Sequence, residues 1–137
     1  MTHAQHTSFT GSIPALYDKH LGPVIFEPFA RELARRLPTH EGVRVLETAC
    51  GTGIVTRRLL ERLPASAHLV ATDLNPGMLD HARASLPADP RLEYRTADAQ
   101  ALPFPDASFD VVVMQFGIMF VPDKPLALRE ARRVLKP

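Results

Sequence analysis

Three observations make this chain an α/β domain built on a parallel sheet. Short apolar runs alternate with helical stretches along its 137 residues, the order that βαβ units need. The run Val43-Arg-Val-Leu-Glu47 passes directly into a turn of small residues, Thr48 to Gly53, with a helix behind it. A second run, His68 to Thr72, ends on Asp73, twenty residues past Gly53.

The elements follow in order. Residues 1–12 are polar and are expected to form a flexible tail; residues 13–137 form the domain, with N-terminal helices in 13–40 and a core in 41–137. Pro14–His20 and Val24–Leu37 read as helices, the second with Ile25, Phe29, Leu33 and Leu37 four apart on one face. Val43–Glu47 is nearly all apolar, as a strand buried on both faces should be. The next helix runs from Gly53 to about Leu63, where Pro64 stops it. Asn75 caps the helix after the second strand, Pro76 takes its first position, and Met78, Leu79, Ala82 and Leu86 form its inner stripe. Leu92–Thr96 alternates polar and apolar residues like an edge strand. Asp110–Gln115 is a fourth strand carried by Val111, Val112 and Val113. Asp123 caps a last helix whose Leu128, Ala131 and Leu135 are expected to face inward.

The turn after the first strand points to a ligand. Gly51 and Gly53 can take positive φ and have no Cβ, so backbone amides there can approach a bound group closely. A carboxylate at Asp73 can accept from the two hydroxyls of a ribose. The pair describes a nucleoside site. A dinucleotide fingerprint would need a third small residue where the β-branched Thr56 stands. The frame that fits is Glu47-x-Ala49-x-Gly51-x-Gly53, an acidic residue followed by small ones at alternate positions.

That frame resembles the first motif of class I S-adenosylmethionine-dependent methyltransferases, where alanine often replaces the first glycine. Ala71–Leu79 is similar to the family's second motif. Thr96–Val113 resembles the stretch joining strands three and four, and Gln115–Asp123 and Arg133–Pro137 resemble the segments that follow. The likeness covers Tyr17 to Pro137 and is nearest to small-molecule methyltransferases of the ubiquinone/menaquinone C-methylase (type 11) group. It implies a Rossmann-like fold truncated to about four parallel strands in the order 3-2-1-4. It also implies S-adenosylmethionine as cofactor, S-adenosylhomocysteine as product and a small-molecule methyl acceptor.

The resemblance carries roles onto particular residues. Glu47 and the loop of Ala49, Cys50, Gly51, Thr52 and Gly53 would hold the methionine part of the cofactor, and Asp73 the ribose diol. Asp98 and the Ala99 amide would read adenine beside an apolar wall of Leu74 and Met78. Gln115 and Phe116 would sit where methyl and acceptor meet, under Tyr17 of the closing N-terminal helix. Displacement at a sulfonium methyl needs alignment, exclusion of water and sometimes a base, so no nucleophilic constellation is required and no catalytic residue is assigned. Cys50 is expected to serve by being small. Asp98 and Asp110 both also suit turn capping.

Composition excludes more than it selects. Sixteen basic and fifteen acidic residues leave a net charge of +1, which favours no nucleic-acid surface. The longest apolar stretch, Val111–Val121, has 11 residues, against about 20 for a membrane span. Residues 1–12 lack the apolar core of a signal peptide, and a single cysteine suits the reducing cytoplasm. The six histidines are scattered and no metal site is expected. With residues for four strands only, strand four is expected to form an open edge that pairs with a second copy in a homodimer. Two rival functions stay open. One is a non-catalytic cofactor-binding or dimerisation module left by truncation; the other, a nicotinamide-dependent reductase, is disfavoured by Thr56 and Asp98.

Overall fold

Four runs rich in β-branched and apolar residues pair into one sheet in the computed structural model, which describes residues 12–137. They are β1 (Arg44–Glu47), β2 (His68–Asp73), β3 (Leu92–Thr96) and β4 (Val111–Val113), in the order β3-β2-β1-β4. Every pairing is parallel, with Val45 opposite Leu69 on one side and Val111 on the other. The expected strand order is therefore observed. The tail expected over residues 1–12 lies, apart from Ser12, outside the described residues.

The helices are α1 (Ile13–His20), α2 (Glu27–Arg35), α3 (Ile54–Arg62), α4 (Pro76–Ser85) and α5 (Lys124–Val134). A π turn over Gly22–Phe26 and a 3-10 turn over Gly117–Phe120 complete the set. The helix expected over Val24–Leu37 is thus divided in two. Pro23 and Pro28 each stand in a first turn, where the missing N–H has no partner to lose. Asn75 caps α4 as expected, its side chain accepting from the Gly77 N–H at 2.9 Å, and Asp123 caps α5 through the Leu126 N–H at 3.0 Å.

Successive strand residues feed opposite layers, as a pleated strand requires. Val45 and Leu69 pack with Ala30, Ala34, Leu37, Val55 and Leu59 from α2, its following loop and α3. Leu46 and Val70 pack with Leu102, Phe109 and Val134 below α5. Met78, Leu79, Ala82 and Leu86 are all buried, so the expected stripe of α4 is observed.

Two other helix faces differ from expectation. In α2 the buried positions are Ala30 and Ala34, while Phe29 is 57% exposed. Ala30 and Ala34 pack in the core with Val55 and Leu59 of α3, and Phe29 lies instead edge-on to Phe116. In α5 the buried residues are Ala127 and Val134, seven apart; Leu128 is 63% exposed.

Polar ties fix the ends of the sheet. Asp110 accepts from the Arg44 N–H and from Lys136 Nζ, at the end of the strands away from the glycine turn, and these donors hold its carboxyl below the usual range. Arg133 on α5 donates to the carbonyls of Leu102 and Phe104, and Glu130 accepts from the Leu102 N–H. Those bonds fasten the long β3–β4 connection to α5. Phe109 pairs in parallel with Leu135, so the residues after α5 cover the approach to β4. β4 is shorter than the expected Asp110–Gln115, and Phe116, with a φ of 62°, turns the chain away soon after it.

Candidate functional site

The carboxyl ends of a parallel sheet are where ligands gather, and the β1–α3 turn supplies the reason here. Ala49, Gly51 and Gly53 have φ of 52°, 57° and 91°, a left-handed sequence that folds the loop back over β1. The Cys50 N–H donates to the Thr72 carbonyl at 2.9 Å. The Gly51 N–H donates to Asp73 Oδ2 at 2.9 Å, and Asp73 Oδ1 accepts from the Asn75 N–H at 2.9 Å. One carboxylate thus joins the loop after β1 to the end of β2. The Leu74 backbone donates to the same carboxylate as well.

Beside this loop lies a cavity of about 270 Å³. It brings together ten of the residues expected to form the site: Tyr17, Ala49, Gly51, Asp73, Leu74, Met78, Asp98, Ala99, Gln115 and Phe116. A second cavity of about 40 Å³ lies under the loop and is lined by Glu47, Cys50 and Thr52, with Tyr17, Ala49, Gly51 and Gln115 shared between the two. Gly53 borders neither. A Cβ there would stand 3.0 Å from Leu86 Cδ1 and 3.2 Å from Ala82 Cβ, so this glycine lets α3 approach α4.

Glu47 and Asp73 are pushed toward their neutral forms. Glu47 is 2% exposed, and Thr56 Oγ1 donates to its Oε2 at 2.6 Å. Burial pushes the Glu47 carboxyl up to about 8, against the lowering effect of Thr56 and with a further push from Asp73. Burial raises Asp73 despite its backbone donors. It raises the Tyr17 phenol too, with the Asp73 charge adding. The Cys50 thiol is pushed well up by burial and by the neighbouring acids, which leaves no thiolate to act as a nucleophile. Among the described residues, no Lys, Arg or His lines either cavity.

The N-terminal helices close one side. Tyr17 stacks on Phe26 at 4.8 Å between ring centres, and Phe26 and Phe29 both meet Phe116. Asp18 ties α1 down: Thr52 Oγ1 donates to its Oδ1 at 3.1 Å, and His81 Nε2 of α4 lies 3.2 Å from its Oδ2. Gln115 Nε2 donates to the Phe26 carbonyl at 3.0 Å. On the far side, Asp98 Oδ1 accepts from the backbone and side-chain amides of Gln100, the turn geometry that its sequence also suits.

Several contributors had no sequence signal strong enough to single them out. Asp18 is one acid among many on a helix. Gln100 and the segment Phe120–Pro122 line the cavity from loops. Gly117 also lines it, and a Cβ at 117 would overlap that of Ala49. Its glycine character is explained only by a neighbour 68 positions earlier in the chain.

A family model described as a methyltransferase domain matches residues 45–137. A demethylmenaquinone methyltransferase of Clavibacter sepedonicus is 44% identical over 96 residues, covering 70% of this chain and 38% of that protein. The ubiquinone/menaquinone biosynthesis C-methyltransferase UbiE of Xylella fastidiosa (strain M12) is 46% identical over 98 residues, 69% of this chain and 39% of the relative. The chain therefore spans about two fifths of the length of the curated relatives it matches. Among solved structures, an S-adenosylmethionine dependent methyltransferase from Mesorhizobium loti superposes with a TM-score of 0.65 at 30% identity, covering 80% of this chain and 48% of that one.

Two outcomes follow from the packing and charge of the site. Gly117→Ala is expected to lower stability by about 1–3 kcal/mol through overpacking, and adding Ala49→Gly is expected to restore most of it, as read from urea denaturation. Glu47 holds a proton in the folded state from about 4.5 to about 8 that the unfolded chain releases, so its contribution to stability falls as pH rises through that window. Glu47→Gln removes the decline. Thermal melts from pH 5 to 8 should show a flatter profile and a higher midpoint at pH 7 than wild type.

Proposed function

Because the chain belongs to the methyltransferase-domain family, we propose that it binds S-adenosylmethionine and transfers the methyl group to a small molecule, releasing S-adenosylhomocysteine. One observation carries the reading: a cavity with Asp73 and Asp98 in its wall and no basic side chain among the described lining residues. That charge suits a cationic sulfonium and opposes the pyrophosphate of a dinucleotide. When bound, the cofactor supplies a methyl group on positively charged sulfur, open to in-line displacement.

The residues divide the work by chemistry. Asp73, held by the backbone of Gly51, Leu74 and Asn75, accepts from the ribose diol with its remaining acceptor capacity. Asp98 accepts from the adenine amine while the Ala99 N–H donates to the ring; Leu74 and Met78 give the ring an apolar wall. Ala49–Gly53 and Glu47 hold the amino-acid part, with Gly53 contributing through loop shape. Tyr17, Gln115 and Phe116 exclude water where donor and acceptor meet. The acceptor is of the quinone class, a reading supported by the relatives' names and by the rings of Tyr17, Phe26 and Phe116 beside the cavity. The single, buried Cys50 supports a cytoplasmic setting.

We further propose a homodimer through β4. Val111 and Val112 are only half-buried, and the pairing of Phe109 with Leu135 covers just the start of this edge. Antiparallel pairing of two such edges gives a closed two-fold sheet.

Hydrogen bonds to a charged group are worth about 1.5–3 kcal/mol, so Asp73→Ala should weaken S-adenosylhomocysteine binding roughly ten- to a hundredfold in a calorimetric titration. Unchanged affinity with the fold intact refutes the site. NADH should give no heat. A tritium-methyl transfer assay separates an enzyme from a binding module, which would bind and not turn over. For the dimer, light scattering at tens of micromolar should return twice the chain mass, and Val112→Lys should halve it with the thermal midpoint checked alongside; a monomeric wild type refutes it.

A further inference from the structure

Two segments of the cavity wall reach it from different connections: residues 97–100 follow β3, and residues 120–122 precede α5. The side chain of Gln100 joins them. Its Oε1 accepts from the Asp123 N–H at 3.0 Å, and its Nε2 donates to Asp98 Oδ1 at 3.3 Å. The amide fits only this way round. A backbone N–H needs an acceptor and a carboxylate needs a donor, so a flip would set like against like at both ends.

Asp98 does not need this bond to close its turn. The Gln100 backbone N–H already donates to the same Oδ1 at 2.8 Å, and the Ala101 N–H donates to the Asp98 carbonyl at 3.0 Å. The side-chain amide is a second donor on an oxygen that the turn has satisfied. With two donors converging on Oδ1, the carboxylate is held against rotation. Asp98 Oδ2 accepts no hydrogen bond among the described residues, and the residue lines the cavity. We propose that Gln100 is a positioning residue, holding Asp98 by Oδ1 so that Oδ2 is presented to the exocyclic amine of the adenine. The proposal rests on the cofactor reading above. It anchors the orientation of Asp98 on Asp123, the residue that caps α5. Support of this kind matters because a hydrogen bond weakens steeply as its angle closes.

The test compares S-adenosylhomocysteine with its analogue carrying hydrogen in place of the adenine amine, each titrated calorimetrically on the full chain. Wild type should prefer the amine-bearing ligand roughly ten- to a hundredfold, the range for a hydrogen bond to a charged group. Gln100→Ala should reduce that preference by roughly two- to tenfold, the range for losing one supporting hydrogen bond. Gln100→Glu keeps an acceptor for the Asp123 N–H but sets a second carboxylate against Asp98, so the preference should fall there too. In an Asp98→Ala background the preference is already lost, and adding Gln100→Ala should change it no further. A general loosening of the wall weakens both ligands alike and cancels in the ratio, and thermal melts report the fold of each variant. An unchanged ratio in either single Gln100 variant makes Gln100 a structural tie only and overturns the proposal. A further fall in the Asp98→Ala background means that Gln100 acts without Asp98, and overturns it as well. Equal affinity of wild type for the two ligands overturns the adenine role of Asp98 and this proposal with it. Failure of wild type to bind either ligand is a different result, which overturns the cofactor reading itself.

Discussion

Asp73 accepts from the Gly51 N–H at 2.9 Å and from the Asn75 N–H at 2.9 Å, and the geometry of the site depends on that pair of bonds. Three left-handed residues in the β1–α3 turn are held against a left-handed conformation that costs a non-glycine residue about 1–2 kcal/mol. Ala49 carries that cost outright. The loop stays closed because its amides have partners from β2, Thr72 for Cys50 and Asp73 for Gly51. The Asn75 bond then aims the same carboxylate from the cap of α4. Loop, strand end and helix start are thereby fixed by one side chain.

Electrostatics follow from where that carboxylate stands. Burial removes solvent from Glu47, Asp73, Cys50 and Tyr17 together, and the Asp73 charge raises the proton affinity of the other three. Ordinary proteins relieve such crowding with a lysine or arginine. Here the basic residues are spent elsewhere: Arg91 caps the carbonyls of Leu60 and Leu63, and Arg58 pairs with Glu27 and Glu61. The acids lining the two cavities therefore have no basic partner among the described lining residues.

Much of this was legible in the sequence, for physical reasons. Strands buried on both faces read as near-continuous apolar runs, and a small-residue turn followed by an acid at the end of the next strand reads as a nucleoside site. Asn75 before Pro76 announced a helix start, as did Asp123. What failed was the assumption that large apolar residues mark the inner face. Phe29 and Leu128 are exposed, and the buried positions beside them are the small Ala30, Ala34 and Ala127. Periodicity weighs hydrophobicity, whereas close approach selects for small volume. Gly117 and Gln115 show a second limit: one is explained by a methyl group on Ala49, the other by a carbonyl on Phe26, and neither neighbour is near in sequence.

The fastening of the β3–β4 connection by Arg133 has a thermodynamic meaning. This connection carries Asp98 and Ala99, and a surface loop of its length would ordinarily wander among many backbone conformations. Arg133 and Glu130 satisfy the backbone of Leu102 and Phe104, and the guanidinium of Arg95 lies over the Phe104 ring at 5.1 Å. The wall is therefore ordered by the fold itself, and a ligand of the proposed kind would not have to offset the conformational entropy of ordering it. A helix that contributes no residue to the cavity's lining thus shapes one of its walls.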